Sequence, residues 1–289
     1  MTPSQITLFE EIINCPYLSN QISGRCRQIL DVQSLCSRRQ VPEPWSGDLD
    51  NASFLILGSN PALVCNEVFP SRQTNWKVWT DMGDGKTMWT NQNVIEYFEG
   101  RFGKAKCPAL PGCVPYFNTI ENTVLSIHNG SISQQKVQNK YWMVYNMYCQ
   151  AIDSSFQNYS YVISDFVHCK SSKEIGVQKA FPFCRRYTQD IIKVFAQNHS
   201  NKHSVLIFGG ASVAEKKLKW LSSCGYNIGI QKTSVGHYPL KSKQRTQDIY
   251  KTTLNVCGKI IDLYYNLPAP SGSNYNCCPA SFMGNEISW

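Results

Sequence analysis

Ala52-Ser53-Phe54-Leu55-Ile56-Leu57-Gly58-Ser59-Asn60-Pro61 decides how the rest of the chain is read. A run rich in β-formers, Ala52–Leu57, stops at a Gly-Ser-Asn-Pro turn, where Gly permits the bend and Pro fixes it. The same grammar recurs downstream. Tyr159–Val167 leads into His168-Cys169-Lys170, and His203–Phe208 ends at Gly209-Gly210. A shorter run, Asn227–Thr233, precedes Ser234-Val235-Gly236-His237. Helical patterns lie between and after these runs. Val177–Gln197 carries apolar Val177, Ala180, Phe181, Cys184, Ile191, Ile192 and Phe195, with Pro182 calling for a kink or a later start. Ala211–Leu221 follows the third run, and Thr246–Tyr265 repeats Ile249, Leu254, Val256, Ile260, Ile261 and Leu263 at helical spacing. Short apolar strands alternating with amphipathic helices predict an α/β fold, a single three-layer α/β/α domain around a short, mostly parallel four-stranded sheet. Ligands bind such sheets at the carboxyl ends of the strands, so residues 58–61, 165–170, 209–212 and 234–240 are expected to gather on one edge.

The 289 residues, 42% hydrophobic and 17% charged, suit one large globular domain or two modest ones, and are read as a single domain over 1–267. Within it, 71–150 forms an aromatic-rich insertion of helices and a long loop. Most of its aromatics are expected in a core, with one or two left to stack on bases. The Pro/Ser/Asn-rich 268–289 is expected to be an extended or poorly ordered tail. No apolar run is long enough to span a membrane. The N-terminal apolar stretch holds Glu10 and Glu11 and lacks a basic flank, unlike a secretory signal. The expectation is a soluble intracellular protein of cytoplasm or nucleus, monomeric. Thirteen cysteines is an odd number, so full pairing is impossible. Inert buried thiols, or a metal or iron–sulfur site using about four of them, are the two readings.

The formal net charge is +8, and its distribution is uneven. Residues 200–251 hold Lys202, Lys216, Lys217, Lys219, Lys232, Lys241, Lys243, Arg245 and Lys251 against only Glu215 and Asp248. Such a field suits a polyanion such as nucleic acid; a solvated Lys-rich helix face is the plainer alternative.

Gly47-Asp48-Leu49-Asp50-Asn51-Ala52 before the first strand, Gly58-Ser59-Asn60-Pro61 after it, Asp165-Phe166-Val167-His168-Cys169-Lys170 after the second, Gly209-Gly210 after the third and Gly236-His237-Tyr238-Pro239-Leu240 come in a telling order. That order resembles the uracil-DNA glycosylase superfamily over about residues 45–70 and 159–245, and is similar to its bacterial and archaeal iron–sulfur branches. The resemblance implies a monofunctional DNA glycosylase of base excision repair that flips a damaged or deaminated base, uracil or a relative, out of single- or double-stranded DNA. Gly58 and Ser59 would lie under the sugar of that nucleotide, and Asn60 would position the attacking water. Phe69, followed by Pro70, is the candidate for stacking on the base; a core phenylalanine is the alternative. Asp165 stands where related enzymes often place Asn to read uracil. An ionised Asp accepts but cannot donate, so three readings stay open: a different base, a protonated Asp165, or a water-activating base. His237 would stabilise the departing base or meet a phosphate. Tyr238 is an extra residue relative to the family turn, and Tyr238 or Leu240 would wedge into the duplex. Lys241, Lys243 and Arg245 would contact phosphates.

Cys169 and Cys184, fifteen residues apart, are similar in spacing to the cysteines that hold a structural [4Fe-4S] cluster in the iron–sulfur branches. Cys15, in Cys15-Pro16-Tyr17-Leu18, and Cys26 or Cys36 would complete the set. Ile12 stands in place of the family's first cysteine. A non-catalytic nucleic-acid-binding member of the same fold is the first rival to the enzyme. An unrelated doubly wound enzyme acting on a nucleotide is the second, and neither G-x-x-x-x-G-K-[ST] nor G-x-G-x-x-G is present to favour it.

Overall fold

The computed structural model describes residues 1–19, 24, 26–36, 38–63, 65, 69–73, 76–81, 87–99, 117–118, 121–128, 131–138, 140–157, 160–240, 245–268 and 280–287. Of residues 19, 117–118, 121–128, 131–138 and 140–143 only the backbone is described. The first half of the chain contains α1 (Pro3–Ile13), α2 (Pro16–Ser19), α3 (Arg27–Gln33), β1 (Arg39–Gln40), β2 (Trp45–Ser46), β3 (Phe54–Gly58), β4 (Ser71–Arg72), α4 (Asn91–Glu99), β5 (Phe117–Asn118), β6 (Glu121–His128) and β7 (Ser131–Gln138). The second half contains α5 (Lys140–Ile152), β8 (Tyr161–Asp165), α6 (Val177–Gln197), β9 (Ser204–Phe208), α7 (Gly210–Ser223), β10 (Asn227–Ile228), β11 (Thr233–Leu240), β12 (Arg245–Val256), β13 (Lys259–Leu267), β14 (Ala280–Phe282) and β15 (Asn285–Ile287). Two compact units divide the chain. The first comprises Met1–Gly47, Ser59–Gln138 and Ser164–Thr188, the second Asp48–Gly58, Asn139–Ile163 and Gln189–Trp289.

The fold is mixed α/β, but among the described residues the main sheet has ten strands and mixes parallel with antiparallel pairing. The expected four-stranded, mostly parallel sheet is not what forms: three of the four runs supply β3, β8 and β9, but Asn227–Thr233 supplies only the two-residue β10, antiparallel to β12. In the second unit the order is β15-β14-β11-β12-β13-β9-β3, with β10 also on β12. β9 is parallel to both β3 and β13. All five of its residues are buried, as an apolar strand flanked on both sides requires. β12 is antiparallel to both β13 and β11, so β11 points the same way as β3, β9 and β13.

Two corrections follow from turn chemistry. Thr246–Tyr265, expected as the final helix, is the hairpin β12–β13. Cys257 and Gly258 both take positive φ (53° and 88°) between the paired Val256 and Lys259, the two-residue turn whose twist matches antiparallel strands. The β-branched residues that looked helix-periodic alternate across its faces instead. Likewise, within the tail expected to be extended, β14 and β15 form a hairpin through Met283 and Gly284, also at positive φ, and β14 pairs with β11. Residues 269–279 and 288–289 of that tail lie outside the described residues.

The first unit begins at a capping box: Thr2 accepts from the Gln5 amide while the Gln5 side chain accepts from the Thr2 amide, with Pro3 opening the helix. That α1 is amphipathic and buries Leu8, Phe9, Ile12 and Ile13. Phe9 meets Trp45 and Phe98 edge-on at 5.3 and 5.6 Å. Phe98 and Tyr97 come from α4, so these insertion aromatics are core, as expected of most of them. The insertion also holds β5-β6-β7, an antiparallel sheet where helices and loop were expected. Cys36 and Cys65 form a disulfide in this unit. The α6 helix spans the 177–197 read from periodicity, with Pro182 inside it rather than delaying its start.

Candidate functional site

In the first unit, the turns that follow β3 and β8 are zipped together. The Val167 amide donates to the Ser59 carbonyl (3.0 Å), that of Ser171 to Pro61 (3.1 Å), and that of Leu63 to Ser171 (3.3 Å), making a parallel bridge between Ala62 and Ser171. This pairing fixes Asn60. Its Nδ2 donates to the carbonyls of Pro61 (2.9 Å) and Ser171 (3.3 Å), which turns Oδ1 the other way as an acceptor. Asn60 is half-buried, and Ser59 beside it is buried. Asp165 closes β8 at 7% exposure, two residues before the Val167 that pairs with Ser59. Asn60, Ser59, Asp165 and Phe69 thus share one unit, whereas Gly58, the last residue of β3, falls in the other.

Phe69 is buried and packed edge-on by Tyr97 and Phe98 at 5.6 and 5.5 Å. Over its ring lies the ammonium of Lys170, 3.6 Å from the centroid, on a side chain that is itself 2% exposed. A cation desolvated against an aromatic face is worth about 2 kcal/mol. The face expected to receive a base therefore carries a lysine, and the lysine belongs to the Asp-Phe-Val-His-Cys-Lys run. Its backbone is held too, its carbonyl accepting from the buried Gln33 amide (3.1 Å). His168 is buried outright. Its Nδ1 donates to the Glu43 carbonyl (3.0 Å), and burial pushes its pKa down to about 4, so it is neutral near pH 7.

Cys15, Cys26, Cys169 and Cys184 converge in this unit, from the end of α1, the start of α3, the turn after β8 and the body of α6. All four are buried. Burial raises Cys15 to about 11 and Cys26 to about 12, and in both the neighbouring Cys184 adds to the rise. The Cys169 thiol hydrogen-bonds to Cys184, which holds Cys169 high and Cys184 low, and Cys15 and Cys26 push Cys169 further up. An all-sulfur donor set of four suits a soft metal or an iron–sulfur cluster. The thiols are not drawn into ligating spacing, since no group of three or more His, Cys, Asp or Glu among the described residues is arranged to hold a metal ion. Cys36 is not available to this set, being bonded to Cys65.

In the second unit, the strand ends are clamped by Lys217 of α7. Its buried ammonium donates to the carbonyls of Leu57 (3.0 Å) and Phe208 (3.1 Å), near the carboxyl ends of β3 and β9. Lys217 is therefore not part of a solvent-facing basic field. The turn at Gly209 has φ 123°, and a Cβ there would meet Val213 at 2.7 Å, so only glycine fits.

His237-Tyr238-Pro239-Leu240, expected as a strand-end turn, lies inside β11. His237 is exposed, opposite Asp248 of β12 and Ser281 of β14. Gly236 is required by that packing, because a Cβ would fall 2.0 Å from the Ser281 carbonyl oxygen. Matched registers place Thr233 beside Lys251, Tyr264 and Leu206, two residues before β9 ends. His237 to Leu240 consequently reach the same edge as the ends of β3 and β9. Three strands lie between β11 and β3, however, which is about 19 Å at the usual strand spacing. Tyr238 is not a wedge: it is 1% exposed, and its hydroxyl donates to Gln247 (3.0 Å). Leu240 is half-buried at the end of β11, Arg245 is exposed at the start of β12, and Lys241 and Lys243 lie outside the described residues.

Sequence reasoning missed that β13 is the strand beside β9, so that the chain leaves this parallel group at Leu267-Pro268 rather than at 234–240. The Leu267 carbonyl accepts from the Gly209 amide (2.9 Å). The Cys257-Gly258 turn was the signal that could have shown it. No helix among the described residues is long and apolar enough to cross a membrane. Neither a family model nor a curated protein matches the chain.

Proposed function

We propose that the chain is a DNA glycosylase-like enzyme, of the uracil-DNA glycosylase kind, that hydrolyses the N-glycosidic bond of a damaged or deaminated base flipped from DNA. The observation that carries this reading is the zipped pair of turns that orients Asn60 beside the turn begun by Asp165. With both N–H groups of Asn60 engaged by backbone carbonyls, Oδ1 accepts a proton of a water and points the oxygen lone pair at C1′. The base leaves as an anion and an abasic site remains. Asp165, when ionised, accepts from base N–H groups and disfavours a carbonyl at the same place. This points to a base that presents amino or imino hydrogens, or to uracil read with Asp165 protonated. DNA phosphates are met by the exposed Arg245 with Lys241 and Lys243. A [4Fe-4S] cluster would be held by Cys15, Cys26, Cys169 and Cys184, where it ties the N-terminal helices to the turn after β8 and does no chemistry on the DNA.

Lys170 over Phe69 favours a second reading, a non-catalytic nucleic-acid-binding protein whose base slot is filled by its own side chain. Excision from labelled oligonucleotides carrying uracil, hypoxanthine, xanthine or mismatched thymine, developed by alkaline cleavage, separates the two. The enzyme reading expects strand scission with at least one of these bases, and scission with none supports the second.

A further inference from the structure

We propose that the face of the sheet bearing Tyr250 and Tyr265 is a binding site for single-stranded nucleic acid, separate from the turns that hold Asn60. The register of β12 and β13 sets the two tyrosines directly opposite each other, with ring centroids 5.5 Å apart and planes 30° from parallel. Further along the same strand faces, Thr252, Leu254, Ile261 and Leu263 are all buried, whereas Tyr250 and Tyr265 are half-exposed. The aromatic pair stands where the cover over this face ends.

A bulge in the neighbouring strand brings a cation to it. β10 ends with Ile228 opposite Leu254 and β11 begins with Thr233 opposite Lys251, so four residues face two. Thr252 Oγ1 pins the bulge through the carbonyls of Gly229 (2.9 Å) and Gln231 (2.8 Å). It leaves Ile230 wholly exposed and sets the Lys232 ammonium 4.4 Å from the centre of the Tyr250 ring. The carboxylate on this face, Asp248, accepts from the Tyr250 hydroxyl (3.3 Å) and anchors the ring.

An aromatic platform flanked by a lysine, in the stretch that holds most of the chain's excess positive charge, matches what unpaired nucleotides need: π faces for bases and a cation for the phosphate between them. Duplex DNA does not expose base faces, and a neutral sugar has no use for the lysine. The proposal does not depend on excision, because it concerns undamaged strand.

Fluorescence anisotropy of a labelled oligothymidylate of about twelve nucleotides, titrated with the full chain, tests it. Binding should fall ten- to a hundredfold in Tyr250→Ala/Tyr265→Ala, stay near wild type in Tyr250→Phe/Tyr265→Phe, and lose about one unit of salt slope in Lys232→Ala. The oligonucleotide carries no damaged base and binding is read without excision, so failure of the excision reading would leave this result standing. In the unmodified chain, an oligonucleotide carrying 5-iodouracil should photocrosslink to the peptides holding Tyr250 or Tyr265, which tests the site even if the alanine variant does not fold. Three results would each overturn the proposal: crosslinks confined to other peptides, unchanged affinity in a folded alanine variant, or competition by inorganic polyphosphate as strong as by oligonucleotide.

Discussion

The Lys170 ammonium sits 3.6 Å above the ring of Phe69, the residue proposed to stack on a flipped base. Both side chains are buried. On the proposed reading a base would have to displace the lysine to reach the ring, so the strength of this contact would be subtracted from base binding. Lys170→Ala should therefore lower folding stability by about 1–2 kcal/mol, read from the denaturant midpoint, and raise the rate of excision from a uracil-containing strand about tenfold. A fall in that rate would show that the lysine serves the substrate rather than excluding it.

Purified without oxygen, the chain should be brown and carry about four irons, and Cys15→Ser, Cys26→Ser, Cys169→Ser or Cys184→Ser should each bleach it. Cys36→Ser should keep the colour, because Cys36 is bonded to Cys65 and lies outside the thiol group. Iron content by mass spectrometry decides. A colourless, iron-free wild type would leave the four cysteines as buried thiols.

Lys217 holds the carbonyls of Leu57 and Phe208 with one buried ammonium. Lys217→Met keeps the bulk and strands two acceptors, a loss of about 2 kcal/mol. Urea unfolding should show the shift, while Lys219→Met, whose partner Glu215 is an exposed neighbour on the same helix, should stay within about 0.5 kcal/mol of wild type.

His203 is buried against Phe195, and its Nε2 donates to Asn198 Oδ1 (2.7 Å). Burial first, and then the Lys259 charge, push its pKa down to about 4. In the unfolded chain the imidazole takes its proton near pH 6.5, and in the folded protein only near 4. The stabilisation is therefore full above about pH 6.5, is lost progressively as pH falls towards 4, and changes no further below that. The His203 share of the loss should be on the order of 2 kcal/mol, beside that of the equally shifted His168, and should disappear in His203→Gln when stability is measured between pH 7 and 4.

β3, β8 and β9 were legible because they are short apolar runs, two stopped at glycine and β8 at a polar turn, and they lie where alternation and turns placed them, as do α6 and α7. β12 and β13 were not, because Ile249, Leu254, Val256 and Ile261 fit a helical wheel as well as a hairpin, and only the positive φ of Cys257 and Gly258 decides between them. The same error hid the true neighbour of β9. It also misplaced Gly236-His237, whose glycine is there to admit β14. In the first unit, the meeting of Asn60 with the turn after Asp165 followed from the strand-end rule. The cover over Phe69 did not, since no spacing in the sequence reveals that Lys170 folds back onto a ring a hundred residues earlier.

On the proposed reading, Asn60 directs water at the anomeric carbon of a flipped nucleotide. That role is tested most directly by incubating wild type, Asn60→Ala and Asp165→Asn with the base panel and measuring alkali-labile sites. Wild type should cleave with at least one base, Asn60→Ala should lose activity on the order of a hundredfold, and Asp165→Asn should gain on uracil. Wild-type scission that survives intact in Asn60→Ala, or no scission of any base by any of the three, would contradict that role.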